Sequence, residues 1–171
     1  MRPKSPPNYL AGYSLALTEQ VQNLISQGVL ADRLQRKYPE AHEVRTDRAL
    51  YAYVRVIKDK YLRNAEPVNK ILFDGRLHVM NNALGIHSSV SRVQGVKLRT
   101  HREIRVATVF KAMPADFLRM IVVHELAHLK EFAHNKAFYQ LCLNMEPNYL
   151  QLEFDLRVYL TYLQAAGSPL W

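Results

Sequence analysis

The sequence predicts an α+β domain, with helices towards both ends of the chain and a small sheet between them. Three patterns predict it. Apolar residues recur at helical spacing before residue 62 and after residue 113, alternation with a period of two is confined to the middle, and one late helix is apolar almost all round.

Each element follows from local chemistry. Leu17, Val21, Leu24 and Ile25 mark a first helix that Gly28 can stop, and Leu30 and Leu34 mark a second that ends before Pro39. Thr46 is a natural cap for a third, with Leu50, Val54, Ile57 and Tyr61 on one face. In "VNKILFDGRLHVM" two apolar runs flank Asp74-Gly75, which predicts a hairpin. "SRVQGVKLR" and "EIRVATVF" read as further strands, the latter alternating from Ile104 to Phe110, for a sheet of three to five strands. Pro114 opens the apolar helix "PADFLRMIVVHELAHLKEF", where its missing N–H costs nothing. A short helix over 135–144 and an amphipathic one closing at Gly167 complete the chain.

With 171 residues, 49% of them hydrophobic, the chain suits one domain over residues 13–171, preceded by a loose Pro-rich arm over 1–12. It contains no run of about 18 apolar residues, so no membrane span is expected. The start lacks a signal-like apolar stretch and Cys142 is the single cysteine, so the cytoplasm is the expected compartment. A formal net charge of +8 favours anionic partners such as nucleotides or nucleic acid.

The stretch "HELAHLKEFAHNKAF" carries the chemistry. His124 and His128 stand four apart on the apolar helix, about 5–6 Å between Cβ atoms, so two imidazoles can share one Zn²⁺. Glu125 lies to the side of that pair, where it can take the proton of a water whose pKa the zinc lowers to about 7. A chance pattern would leave three polar side chains buried without partners, at a cost of several kcal/mol. A continuous helix would turn His134 about 240° away from His128, so the helix must break between Leu129 and His134. Asn135 is the best local turn-former and can cap the next helix, aiming His134 back at the metal. The rival third ligand is a carboxylate, Glu146 or Glu153.

Here the chain resembles a family. "IVVHELAHLKEFAHNKAF" is similar to the signature of the YgjP-like metallohydrolases, relatives of the SprT- and Spartan-type zincins. "DRLQRKYP", "YLRNAEPVNKILFDGRLHVMNNALG", "SRVQGVKLR", "EIRVATVF" and "MEPNYLQLEFDLR" extend the likeness over most of the chain from about residue 13. The family pattern places three ligands at His124, His128 and His134, the base at Glu125 and an aromatic at Phe138. The resemblance implies a minimal zincin fold: a helical N-terminal part, a small and mostly antiparallel sheet, a central HExxH helix and C-terminal helices. It implies one Zn²⁺ per chain and a hydrolase, described for some members as a peptidase and for one as a UTP pyrophosphatase releasing UMP and pyrophosphate.

Two substrates divide the evidence of the residues. The motif's usual chemistry favours a peptide bound along an exposed strand edge, for which "EIRVATVF" is the candidate. The basic run over 92–111 favours a nucleoside triphosphate, with Arg92, Lys97, Arg99 and Arg105 as candidate phosphate contacts. Lys97 and Arg99 share a face by strand alternation. A solvated hairpin explains the same charges without a ligand. A nucleic-acid-binding module with a structural metal ranks third, because no Cys-rich element accompanies the charge and no aromatics are interleaved with it.

Overall fold

The computed structural model describes residues 7–77, 85–94 and 97–171, with the side chains of all of these except 85–94 and 97–101. Caps and breakers set the helices. Ser14 Oγ accepts from Leu17 N to start α1 (Leu15–Ser26), and Gly28, at φ +68°, releases the chain into α2 (Leu30–Lys37). Thr46 Oγ1 accepts from Ala49 N and starts α3 (Asp47–Tyr61). After the sheet come α4 (Ala115–Ala127), α5 (Lys136–Met145) and α6 (Tyr149–Ala166), the last closed by Gly167 at φ +73°. No helix among the described residues is long and apolar enough to cross a membrane.

Three strands form one mixed sheet in the order β1-β3-β2, with β1 at Lys70–Asp74, β2 at Gly85–Gln94 and β3 at Lys97–Ala107. β2 pairs antiparallel with β3 from Gly85↔Val106 to Gln94↔Lys97. β1 pairs parallel with β3 from Lys70↔Glu103 to Asp74↔Ala107. Ile71 stands opposite Ile104 and Phe73 opposite Val106, and all four are buried. α3 packs against β1, and α4 meets β2, β3, α3, α5 and α6 and so lies at the centre of the core.

The sheet corrects three expectations. The β1–β3 pair is parallel, so the sheet is mixed rather than mostly antiparallel. Asp74-Gly75 does make a turn, with Leu77 N donating to the Asp74 carbonyl and Arg76 N to Asp74 Oδ1, yet β1 takes β3 as its partner. The second apolar run of the expected hairpin, from residue 78 on, lies outside the described residues. "EIRVATVF" is neither an edge nor wholly a strand. β3 is flanked on both sides, and Thr108–Ala112 winds into a 3₁₀ turn. The cause is His42, whose Nε2–H donates to the Phe110 carbonyl at 2.7 Å and whose backbone N donates to Met113 O, drawing the buried Phe110 and Met113 inward.

Part of the expected N-terminal arm touches the core: Asn8 Oδ1 accepts from Leu10 N, Leu10 is buried, and Arg157 on α6 donates to the Tyr9 carbonyl at 3.2 Å.

The His42 anchor makes a pH prediction. Its Nδ1 accepts from Val44 N at 3.0 Å, so the neutral ring uses both nitrogens and a second proton would cost that bond. Burial holds the ring's pKa below its ordinary value. An unfolded histidine titrates near 6.5. Between that value and the lower folded one the unfolded chain binds more protons, so this group's contribution to stability is full above about pH 6.5 and falls as the pH drops. Titration of the His42 ring by NMR should give a midpoint below 6.5, and a midpoint at or above 6.5 contradicts the anchor.

Candidate metal centre

Packing sets the site before any ligand does. Eight apolar residues of α4, among them Phe117, Met120, Ile121, Val123 and Leu126, are buried, and they carry His124 and Glu125 into the core with them. His124 is 4% exposed and Glu125 1%. Both Glu125 carboxylate oxygens lack a hydrogen-bond partner among the described residues, and burial pushes the carboxyl up to about 8.

The helix ends at Ala127 and His128 is its C-cap, at φ −64° and ψ −13°. A tight turn follows, with Leu129 N donating to Leu126 O and both Lys130 N and Glu131 N to Ala127 O. Glu131 then closes the loop from both ends. Its carbonyl lies 2.9 Å from His128 Nδ1, and its carboxylate accepts from the Asn135 amide at 3.2 Å. Asn135 Oδ1 in turn accepts from Phe138 N and caps α5. The break therefore needs no glycine: a carboxylate and an Asn cap hold the loop that brings His134 round.

The three histidines converge on their Nε2 atoms. The spacings are 3.3 Å for His124–His128, 3.2 Å for His124–His134 and 3.1 Å for His128–His134. Two nitrogens bound to one Zn²⁺ at about 2.0–2.1 Å and the tetrahedral angle lie about 3.3–3.4 Å apart, so the cluster has the size a metal ion requires. Its protonation suits one too. Burial, and then the charges of His128 and His134, hold the His124 pKa well below its usual value, and burial likewise lowers that of His128. Neutral imidazoles with the hydrogen on Nδ1 present three Nε2 lone pairs, which repel one another at this distance and suit a cation between them. The cluster is the group among the described residues whose His, Cys, Asp and Glu atoms converge as metal ligands would. The buried Phe138 ring lies 4.7–5.0 Å from all three imidazole centroids and walls off the core side.

The rival carboxylates are engaged elsewhere. Glu146 pairs with Arg119 at 2.5 Å and Glu153 with Arg157 at 3.2 Å. Of the basic run, Arg105 is held by Glu103 at 3.2 Å and Asp74 at 3.0 Å, within the sheet rather than at the histidines. Arg92 stands opposite Arg99, and Lys97 opposite Gln94, in the β2–β3 ladder; their side chains lie outside those described. Arg102 reaches the turn after α4, its Nη1 donating to the Leu129 carbonyl at 3.1 Å, one residue past His128. It belongs to the basic run but nothing in the sequence distinguishes it from its neighbours. Tyr149, whose hydroxyl lies 2.7 Å from His124 Nδ1, was not legible either, since it reads as an ordinary apolar helix start.

The chain is similar to known proteins over most of its length. A UTP pyrophosphatase of Escherichia coli (strain K12) is 58% identical over 162 residues, which is 95% of this chain and 97% of that protein. No solved structure matches the chain. The family model described as YgjP-like, metallopeptidase domain, matches residues 9–159 and so spans the sheet, all three histidines and most of α6. The chain is an enzyme and belongs to the YgjP-like family.

Proposed function

We propose that this protein is a zinc-dependent hydrolase that cleaves a nucleoside triphosphate, UTP foremost, to the monophosphate and pyrophosphate. The observation that carries the reading is the 58% identity, over almost the whole of both chains, to a protein named for that activity. The HExxH motif taken alone favours a peptide; the relative reverses that order. An enzyme relative of this identity also speaks against a nucleic-acid-binding module with a structural metal. The cytoplasm is the compartment assigned with this reading.

His124, His128 and His134 would hold the ion, one per chain, through Nε2. When bound, it supplies Lewis acidity and makes water a nucleophile near neutral pH. Glu125 is the general base. Its carboxyl, pushed up by burial, would be drawn back towards the carboxylate by a cation held at the imidazoles. It takes a proton from the water as the water oxygen bonds to the α-phosphorus, the bond from the α-phosphorus to the oxygen bridging it to the β-phosphorus breaks, and pyrophosphate departs. Arg92, Lys97 and Arg99 are the assigned phosphate contacts, since guanidinium forks and ammonium groups match phosphate oxygens. Arg105 is left to the sheet by its two carboxylate partners.

A peptidase is the second reading, favoured by the family's description and by one structural feature. β2 is one of the two edges of the sheet among the described residues and the one that contacts α4, so an extended chain could add to it beside the histidines.

Glu125→Gln tests the chemistry. Gln is nearly isosteric and cannot take the proton, so the variant should bind metal normally and lose about 10²–10⁴-fold in turnover. Wild type and variant are to be incubated, metal-loaded, with UTP, with other triphosphates and with unfolded protein. UMP and pyrophosphate from the wild type alone is the expected result. Peptides instead would shift the assignment to the second reading, and normal turnover by the variant would remove Glu125 as the base.

Lys97→Ala and Arg99→Ala test the substrate. Each should remove a charge-assisted contact of about 1.5–3 kcal/mol and raise KM for UTP about ten- to a hundredfold. The loss should shrink at high salt, where screening already weakens phosphate binding. An unchanged KM in the double variant would return the run to the solvated-hairpin explanation.

A further inference from the structure

Two of the three histidines have a described partner on the nitrogen away from the cluster, and the two partners differ in kind. His128 Nδ1 meets the Glu131 carbonyl, a backbone group that any residue at 131 would supply. His124 Nδ1 meets a side chain, the Tyr149 hydroxyl, at 2.7 Å. Tyr149 is the first residue of α6 and is fully buried. Its ring lies nearly parallel to the His124 ring, 22° between planes at 6.4 Å, and the buried thiol of Cys142 sits beside its hydroxyl.

We infer that Tyr149 is the positioning residue of the metal centre: it accepts the His124 Nδ1–H and thereby fixes the tautomer that points the Nε2 lone pair at the other two imidazoles. The inference rests on reading the histidine cluster as a metal site. A neutral imidazole carries one N–H, and when Nε2 is a ligand that hydrogen sits on Nδ1. His124 is almost completely buried, so an Nδ1–H without an acceptor would cost the full desolvation of that donor. Tyr149 Oη is the acceptor in place. Its own hydrogen is free to turn towards the Cys142 sulfur, which leaves the oxygen lone pairs to accept.

A packing role and a positioning role separate in Tyr149→Phe. Without metal, the variant's His124 can adopt the other tautomer and place its N–H among the neighbouring imidazoles, so the apo protein should keep most of its stability. With metal it cannot, and the loss should appear as affinity. Loss of such an outer partner weakens metal binding about ten- to a hundredfold. The control is Tyr159→Phe, which removes a buried hydroxyl that accepts from Leu170 N and lies outside the histidine cluster.

The experiment is a chelator competition for Zn²⁺ with wild type, Tyr149→Phe and Tyr159→Phe, run beside thermal unfolding of the metal-free proteins and the visible spectrum of the Co²⁺ forms. The expected result is a Zn²⁺ Kd raised ten- to a hundredfold and an altered Co²⁺ spectrum in Tyr149→Phe alone. Equal Kd values within twofold for all three proteins overturn the inference, as does a Tyr149→Phe whose sole change is a lower apo Tm. A wild type that binds no Zn²⁺ overturns the metal-site reading itself, which the wild-type curve shows independently of the variants. If Tyr149→Phe does not fold, the ¹⁵N spectrum of Zn²⁺-loaded wild type decides. A slowly exchanging His124 Nδ1–H with a cross-peak to the Tyr149 ring supports the assignment, and an Nε2–H refutes it.

Discussion

Three imidazole nitrogens held 3.1–3.3 Å apart repel when all three present lone pairs, the state in which they can share a cation, and much of this fold serves to maintain their spacing. Apolar burial of α4 drags His124 and Glu125 into a region where neither side chain would reside by its own preference. Phe138 closes the core side, and the Glu131–Asn135 pair holds the loop that turns His134 back. Polar groups buried at such cost persist where something bound compensates them.

The sheet contributes support and a rim. β3 is fixed on both sides, by β1 in parallel and β2 in antiparallel, so it is a beam rather than a docking edge. Arg102 on β3 ties that beam to the end of α4 by donating to the Leu129 carbonyl, and Glu66 pairs with the same guanidinium at 2.7 Å. A cation also suits the negative end of a helix dipole. His128 is thus braced from the sheet side as well as from the loop.

Legibility in the sequence tracked the range of the interaction. The i, i+4 histidines, the Thr46 and Asn135 caps and the Gly28 and Gly167 stops are local patterns, and the structure contains each of them. The need for a break before His134 was legible from helix geometry alone, but its means was not: Glu131 bonding to Asn135 is a loop-specific contact with no periodic signal. Strand partners were the main error. Asp74-Gly75 marks a turn correctly, yet a turn does not state which strand completes the ladder, and β1 pairs with a strand some thirty residues on. The early end of β3 came from His42, sixty-eight positions before Phe110, and Tyr149 stands twenty-five positions after His124; neither coupling leaves a mark in any short window.

X-ray absorption at the zinc edge on Zn²⁺-loaded protein tests whether the three Nε2 atoms hold one divalent metal ion. One ion per chain is expected, with three imidazole nitrogens at about 2.0–2.1 Å and one further light atom. A sulfur ligand, fewer than three imidazoles, or coordination dominated by carboxylate oxygen would overturn the assignment.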